Sequence, residues 1–360
     1  MPEPFAQRQK AVVQELKRRE LDCLLVTHPA NWLYLTGFAG DSGALAITRH
    51  APTLITDGRF TVEAREHCPA VRVELQRGAL FAAVGHWLKG HRIGRFGFDP
   101  AQWTVAQIKA CRKAAGPKCR AIEAGGIVET LRRKKDAQEL VLMRKAAILA
   151  GEVMAKAFCL VKPGVRESDI AAEIEYQMRK CGASGPSFET IVASGARAAF
   201  PHARPTSKFL KKNELVVLDL GVILAHYCSD MTRTVFLGRA PRRIREWYRA
   251  VNEARAAAIS TVKPGITCGE IDAAAREVLR KSGLDRYFVH STGHGLGLEV
   301  HEDPRVARGQ SIRLEAGNVI TIEPGVYVEG VGGIRIEDDV AVRSQGSEVL
   351  TRVSRDLIEI

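Results

Sequence analysis

A four-residue segment, Val-Lys-Pro-Gly, occurs twice in this chain of 360 residues, at residues 161–164 and again at residues 262–265. Further matches occur at the same separation, such as Ile170 with Ile271. Pro-Gly marks a turn, and the residues after each copy have a helical pattern. A chain that repeats a turn and a helix in this way is expected to fold into two similar halves related by a pseudo-twofold axis.

Each copy of this unit is followed by a pair of apolar segments that carry carboxylates. Asp219 and Asp230 lie on either side of a turn region that contains Gly221, and Glu323 and Glu337 flank a second glycine-rich turn region. Apolar segments separated by such turns are typical of β-hairpins. A pseudo-twofold axis would bring the two hairpins together, so each half is expected to contribute two acids to one centre.

Four carboxylates at strand ends are costly to bury unless they are paired, protonated or bound to a metal. The hairpins contain one arginine each, Arg233 and Arg335, which is too little charge for four acids. His294, in a glycine-rich segment, adds one imidazole. Oxygen ligands with a single imidazole favour Mn²⁺ or Co²⁺ over Zn²⁺. Each acid alone could be a strand-end residue in an ion pair, but together they predict a metal centre.

The order of these segments resembles that of the pita-bread metallopeptidases, and within them the branch of Xaa-Pro aminopeptidases and prolidases. The resemblance covers the whole chain and is densest from about residue 130 onward. The segments that carry it are Leu-Asp-Leu-Gly at 218–221, Ser-Asp-Met-Thr-Arg-Thr at 229–234, His-Ser-Thr-Gly-His-Gly at 290–295, Val-His-Glu at 300–302, Glu-Pro-Gly-Val-Tyr at 323–327 and Gly-Ile-Arg-Ile-Glu-Asp at 333–338.

The resemblance implies a two-domain α/β (α+β) fold, with a creatinase-like mixed α/β domain at residues 1–128 and a pita-bread pseudo-twofold catalytic domain at residues 129–360. The pattern of the first 125 residues agrees, because helical and strand segments alternate there, as in an α/β domain with a mixed sheet. The predicted elements are a helix at 7–19 and strands at 22–27, 44–48, 53–56 and 95–98. A long helix is predicted from residue 136 to about residue 160.

The same resemblance implies a catalytic centre with two divalent metal ions, Mn²⁺ before Co²⁺ or Zn²⁺. Asp230 and Glu337 would bridge the ions, Asp219 would bind one, and His294 with Glu323 the other. Such a pair activates a water for attack on an amide carbonyl. Glu323 would also act as the general base and pass a proton to the leaving nitrogen. This proton is essential for an Xaa-Pro bond, because the proline nitrogen carries no hydrogen.

Three further histidines, His202, His290 and His301, match positions that contact the substrate in this branch, where imidazoles bind the scissile carbonyl and carry protons. Arg335 is expected to orient a metal ligand from the same strand face. One position departs from the family pattern: Arg197 stands where Ser-Gly-x-Asn would have asparagine. This difference concerns the entrance of the pocket and leaves the metal ligands unchanged.

The implied substrates are peptides with proline in the second position, and two enzymes of the branch remain as alternatives. A prolidase, limited to dipeptides, needs a cation for the free carboxylate of the terminal proline. Arg335 is close to the ligands and Arg197 could be solvated, so an aminopeptidase open to longer peptides is favoured. Methionine aminopeptidase usually lacks the N-terminal domain. Creatinase and the non-catalytic protein-binding members of the fold lose the ligands, all five of which are present here.

Composition excludes several other classes. The net charge is +12, but the basic residues are spread over the runs 17–19, 132–135 and 242–243, which predict solvated helix faces and a linker, with no nucleic-acid partner. No apolar stretch has the length of a membrane span, and residues 1–10 lack a signal-peptide pattern. A cytoplasmic enzyme without a membrane partner is the expectation.

Eight cysteines are scattered without a Cys-x-x-Cys pair, which predicts free thiols in a reducing compartment. Cys228 lies two residues before Asp230 and is interpreted as a core residue, with metal ligation as the lesser alternative. The apolar segment at residues 32–38 resembles the edge of the family's N-terminal domain and favours a homodimer or larger homo-oligomer. The alternative interpretation is that this segment packs inside the core of the domain.

Overall fold

The computed structural model describes residues 3–360 and divides the chain into two compact units between Arg132 and Arg133. Both units contain sheets and helices, which confirms the predicted two-domain α/β fold. The limit expected from the sequence, between residues 128 and 129, falls inside the helix Ile127–Arg133. Among the described residues, no helix combines the length and the apolar character needed to cross a membrane.

The N-terminal unit, as described from residue 3 onward, is built on a six-stranded sheet with the strand order β4-β3-β2-β1-β5-β6. Strands β1, β2 and β3 are antiparallel, and the other neighbours are parallel, so the predicted mixed sheet is confirmed. Its elements are α1 (Glu3–Arg18), β1 (Cys23–Val26), α2 (Pro29–Thr36), β2 (Ala44–Ile47), β3 (Thr53–Thr56), α3 (Thr61–His67), β4 (Arg72–Leu75), α4 (Leu80–Gly90), β5 (Arg95–Phe98), α5 (Val105–Ala115), β6 (Arg120–Glu123) and α6 (Ile127–Arg133).

The apolar segment at residues 32–38 belongs to the core of this unit. Trp32, Leu35 and Phe38 are each at most 1% exposed. The segment forms most of α2, which ends at Gly37 in the left-handed conformation that favours glycine (φ 80°). These side chains therefore present no apolar surface to a second copy, and the predicted homodimer loses this support and stays a prediction.

The basic run at residues 132–135 is only in part the solvated linker that the sequence suggests, because two of its four residues are buried. Arg132 is buried and donates a hydrogen bond to Asn31 Oδ1 at 2.7 Å within the N-terminal unit. Lys135 is buried in the C-terminal unit, where its Nζ lies 3.1 Å from Glu302 Oε2. Both partners are more than a hundred residues away along the chain, so local charge patterning could not identify them.

The C-terminal unit contains long helices and several mainly antiparallel sheets. Its helices are α7 (Ala137–Leu160), α8 (Glu167–Lys180), α9 (Arg242–Thr261) and α10 (Cys268–Lys281), with short 3₁₀ helices at Gly195–Ala199 and Asp285–Tyr287. Its strands are β7 (Gly185–Pro186), β8 (Ile191–Ser194), β9 (Glu214–Leu220), β10 (Val222–Leu224), β11 (Tyr227–Cys228), β12 (Met231–Leu237), β13 (Gly293–Gly295), β14 (Glu302–Val306), β15 (Val319–Ile322), β16 (Gly325–Val328), β17 (Gly332–Arg335), β18 (Asp338–Val342), β19 (Ser347–Val349) and β20 (Ile358–Glu359).

The two Val-Lys-Pro-Gly segments occupy equivalent positions in this unit, one between α7 and α8 and the other between α9 and α10. Gly164 and Gly265 both have left-handed backbone angles, φ 85° and 87°. Their N–H groups donate to the carbonyls of Leu210 and Leu314, at 2.9 and 2.8 Å. The repeat in the sequence is therefore a repeat in the structure.

The two predicted carboxylate hairpins are also present. Strand β9 pairs with β12, which places Asp219 opposite Thr232, and β15 pairs with β18, which places Ile322 opposite Asp338. Each connection contains a further short strand pair, β10 with β11 and β16 with β17. Helices α7 and α8 pack on the first hairpin, and α9 and α10 contribute to the core beside the second. This packing buries the strands whose ends carry the acids.

Candidate metal centre

The acids at the ends of the hairpins and His294 lie around one point. Ligand atoms of Asp230, His294 and Glu337 all lie within 4.8 Å of one another. The Nε2 atom of His294 is 3.7 Å from Asp230 Oδ2 and 3.5 Å from Glu323 Oε1. Asp219 is close enough to perturb the ionisation of the other three acids. The structure thus brings together all five ligands suggested by the sequence.

Close backbone packing explains the glycines on either side of His294. A Cβ atom at Gly293 would lie 1.9 Å from the Thr321 carbonyl oxygen, and one at Gly295 would lie 2.3 Å from that of Asp303. Strand β13 is held between β14 and β15, so its backbone has no room for side chains at these two positions. The glycines therefore serve to place the His294 imidazole beside the strand that leads to Glu323.

The buried acids of this centre repel one another, and a bound cation would stabilise their ionised forms. Burial and the neighbouring acids raise the pKa values of Asp230 and Glu337 well above their usual range, and burial raises the pKa of Glu323 to about 7. The Oδ1 atom of Asp219 is buried and has no hydrogen-bond partner among the described residues. An unpaired buried oxygen among mutually repelling carboxylates is the environment that a divalent ion stabilises. The donor set fits a hard or borderline divalent metal.

Arg335 orients one acid from each hairpin. Its guanidinium donates to Asp219 Oδ2 at 2.5 Å and to Thr232 Oγ1 at 2.9 Å, and Thr232 in turn donates to Glu337 Oε2 at 2.7 Å. Arg335 therefore orients Asp219 directly and Glu337 through the threonine hydroxyl. The acid that Arg335 contacts directly is Asp219 of the first hairpin. The sequence suggests a ligand on the same strand face as Arg335.

The three predicted substrate histidines differ in their surroundings. His290 is held on both ring nitrogens, Nδ1 at 2.7 Å from Ser291 O and Nε2 at 2.9 Å from Tyr327 Oη. Burial, with a smaller effect of Arg335, lowers the His290 pKa to about 3, so this imidazole is neutral. The His301 ring packs edge-on against His294, with 4.4 Å between centroids. His202 is exposed and close enough to lower the pKa of both other histidines.

Tyr327 and Thr232 are members of the site to which the sequence analysis gave no role. The Tyr327 hydroxyl accepts a hydrogen bond from Arg335 at 2.7 Å and lies 2.9 Å from His290. A buried tyrosine hydroxyl requires such partners. Both residues stand inside the recognised motifs, which was the available signal, but only the folded chain shows which groups they contact.

Cys228 does not belong to the cluster formed by Asp230, His294 and Glu337. Its Sγ atom lies 3.8 Å from the Leu298 carbonyl oxygen, and its side chain belongs to an apolar cluster. Burial raises the pKa of the Cys228 thiol to about 12. The eight cysteines are all free, as predicted, and Cys159 is the exposed one among them in the described part of the chain.

Arg233, the arginine of the first hairpin, does not neutralise the ligand acids. Its guanidinium is buried and donates to Asp338 Oδ1 at 2.8 Å and to the Glu337 carbonyl at 2.6 Å. Asp338 also pairs with Arg255 and Arg355, at 2.7 and 2.9 Å. The arginine cluster keeps the Asp338 pKa below its usual range despite burial. Arg233 joins this cluster to the backbone of Glu337, through its hydrogen bond to the Glu337 carbonyl.

We expect Arg233→Met to lower the free energy of unfolding by about 1.5–3 kcal/mol, the size of the loss of a hydrogen bond to a charged group, because Asp338 keeps Arg255 and Arg355 as partners. The substitution also leaves the Glu337 carbonyl without its donor. Urea unfolding followed by circular dichroism measures the change. Arg242→Met, at a side chain that is 92% exposed, is the matched control. Equal stability of the two variants would show that the Asp338 cluster does not stabilise the domain.

The chain is similar to known metallopeptidases over nearly its whole length. Residues 141–344 match Metallopeptidase family M24, and residues 8–134 match the Creatinase/Prolidase N-terminal domain. The chain is 34% identical over 353 residues to an Xaa-Pro dipeptidase of Pyrococcus horikoshii, covering 97% of this chain and 98% of that protein.

Two solved structures have the same fold over nearly the whole chain. One is an Xaa-Pro dipeptidase from Bacillus anthracis, with a TM-score of 0.95, 34% identity, and coverage of 99% of this chain and 100% of that one. The other is an X-Pro aminopeptidase from Thermotoga maritima, with a TM-score of 0.90, 32% identity, and coverage of 98% and 100%. The chain therefore belongs to Metallopeptidase family M24 and is a hydrolase of that family.

Proposed function

We propose that the protein is a dinuclear metal-dependent Xaa-Pro aminopeptidase, which hydrolyses the bond before a proline in the second position of a peptide. The observation that carries the proposal is the cluster of buried acids with raised pKa values around one imidazole. The relatives named as Xaa-Pro dipeptidase and X-Pro aminopeptidase support the choice of substrate.

The five clustered residues would hold the metal ions. In this proposal Asp230 and Glu337 would be shared by two ions, Asp219, whose Oδ1 has no hydrogen-bond partner among the described residues, would hold one of them, and His294 with Glu323 would hold the other. Mn²⁺ is the proposed ion, since four carboxylates and one imidazole form an oxygen-rich set. When bound, the ions lower the pKa of a water and polarise the scissile carbonyl.

The protein's own groups manage protons and orientation. Glu323 accepts a proton from the attacking water and delivers it to the proline nitrogen, which otherwise could not leave. Its Oε2 lies 3.9 Å from His290 Nδ1, and because burial keeps that imidazole neutral, it adds no positive charge beside the ligands. His202 and His301 are the more accessible imidazoles and would donate to the substrate carbonyl.

The state of two arginines favours an aminopeptidase over a dipeptidase. Arg335 is engaged by Asp219, Thr232, Tyr327 and the Pro201 carbonyl. Arg197 is engaged by Glu167 and by the Arg204 carbonyl. Neither is therefore available to pair with the free carboxylate of a terminal proline, which a dipeptidase must bind.

A dipeptidase is the second candidate, because relatives that match almost the whole chain carry the name Xaa-Pro dipeptidase. The two functions differ in which group follows the proline. In a dipeptide it is a carboxylate, and in a longer peptide it is a neutral amide.

We expect the Mn²⁺-loaded enzyme to cleave an Xaa-Pro-Xaa tripeptide with a kcat/KM about tenfold or more above that of the Xaa-Pro dipeptide, since an unpaired carboxylate costs about 1–3 kcal/mol to desolvate. Steady-state kinetics with both peptides measures the ratio. The same peptides with alanine in place of proline are the control for proline specificity. A strong preference for the dipeptide would assign the chain as a prolidase.

A further inference from the structure

Arg197, the residue that departs from the family pattern, has two partners in the catalytic unit. It lies in the 3₁₀ helix that follows β8. Its Nε atom donates to Glu167 Oε2 at 3.1 Å, and its terminal nitrogen donates to the Arg204 carbonyl at 2.5 Å. A planar guanidinium can bridge two acceptors in this way, which a point charge such as the lysine ammonium cannot do with the same geometry.

Glu167 is the fixed end of this contact. It is the first residue of α8, and its side chain is completely buried. The carboxylate also accepts hydrogen bonds from the backbone and hydroxyl of Ser194, at 2.8 Å each, and from those of Thr206, at 3.2 and 2.8 Å. A buried carboxylate with this many donors is held in one orientation, so it can anchor Arg197.

The turn that bears His202 is attached to Arg197 at both ends. The Phe200 N–H donates to the Arg197 carbonyl at 3.0 Å, and the Ala203 N–H closes the turn on the Phe200 carbonyl at 3.2 Å. At the far end, the Arg204 carbonyl accepts from the Arg197 guanidinium. One residue therefore holds the start of the turn through its backbone and the end through its side chain.

The second repeat holds its own histidine with the same combination of an acid and an arginine. On α10, Arg276 donates to Asp272 Oδ2 at 2.7 Å, to the Phe288 carbonyl at 3.1 Å and to the His290 carbonyl at 2.6 Å. Asp272 also accepts from Thr292 at 2.8 Å. Attachment of a histidine loop to a repeat helix thus occurs in both halves, although the residues used do not correspond in the repeat.

We propose that Arg197, anchored on Glu167, is a positioning residue that holds the His202 turn against the substrate. The expected effect of Arg197 on catalysis rests on the proposed function, because it requires that His202 contact the substrate. The expected effect of Arg197 on the order of the turn is independent of the proposed function. A displacement of a catalytic group by about 1 Å can cost about 10²-fold in rate, so loss of this attachment should be visible in kinetics.

The attachment of the His202 turn to Arg197 is tested on the metal-free chain by hydrogen–deuterium exchange. Arg197→Met is expected to speed exchange in peptides that cover residues 200–206 and to leave those covering residues 288–292 unchanged. Arg179→Met is the matched control, since Arg179 also donates to a backbone carbonyl, that of Ser184, outside the site. Unchanged exchange at residues 200–206 would overturn the proposal. If Arg197→Met does not fold, Arg197→Lys keeps a charge beside Glu167 and loses only the bridging geometry.

The catalytic part is tested by a double-mutant cycle on the metal-loaded enzyme. Arg197→Met should lower kcat/KM by about 10²-fold for dipeptide and tripeptide alike, and add little to His202→Ala in the double variant, because both act through one group. Additive losses would show that Arg197 acts elsewhere. A rise in KM for the dipeptide alone would make it the carboxylate clamp of a prolidase. Full activity of His202→Ala would contradict the role of His202 in the proposed function, while the exchange result would stand by itself.

Discussion

Glu337→Gln is expected to abolish turnover and to lower the metal content of the purified protein. In the proposed centre Glu337 would be shared by both ions, and an amide of the same size cannot supply its charge. The loss should be about 10³-fold or more in kcat/KM, since bound metal contributes several kcal/mol to the transition state. Asp230→Asn should behave in the same way. Elemental analysis and Xaa-Pro hydrolysis after reloading with Mn²⁺ measure the two effects.

The thermal stability of the metal-free variant separates ligand loss from misfolding. Burial and neighbouring acids raise the Glu337 pKa in the folded protein, so its ionised form destabilises the metal-free fold at neutral pH. Glutamine removes that charge and keeps an acceptor for Thr232, so the melting temperature should not fall. Glu315→Gln, at a side chain that is 70% exposed, is the control and should keep its metal and its activity. Two bound metals and near-normal activity in Glu337→Gln would remove the assignment of this centre.

Alanine at His202, His290 or His301 is expected to lower the rate by about 10²-fold or more while the metal stays bound. This is the size of the loss when a positioned proton carrier or transition-state donor is removed. None of the three histidines belongs to the cluster of Asp230, His294 and Glu337. The measurement is kcat and KM together with metal content for each variant.

His67→Ala, in the N-terminal unit and at a side chain that is 59% exposed, is the control for a histidine without a role in the site. His294→Ala is the contrasting variant and should lose metal and activity together. If any of the three substrate histidines behaves like His294, that residue is a ligand and its proposed role is wrong. His290→Ala should also disturb Tyr327, because the two side chains are hydrogen-bonded at 2.9 Å.

The candidate metal ligands could be identified from the sequence because each has a strong local signal. An acid that ends an apolar strand, such as Asp219 or Glu323, must meet positive charge wherever the strand is buried. The glycines beside His294 indicate backbone packed too closely for side chains, and the glycine contacts confirm it. The repeat of Val-Lys-Pro-Gly predicted that the two hairpins would meet. These signals depend on residue type and spacing over short segments.

The partners of the basic residues could not be predicted in this way. The sequence gives each hairpin one arginine, yet Arg335 contacts a candidate ligand acid and Arg233 pairs with Asp338. Arg132 and Lys135 belong to a run that has the composition of an exposed linker, and both are buried. Their partners come from segments distant in the chain, so only packing selects them.

The sequence by itself determined the two-domain α/β fold, the pseudo-twofold repeat and the residues that could hold metal, because periodicity and strand-end acids are local properties. Only the tertiary structure decided which side chain each charge meets. It placed Tyr327 between His290 and Arg335, and it paired Arg197 with Glu167. The physical reason is that a buried charge takes the partner that long-range packing brings within hydrogen-bond distance.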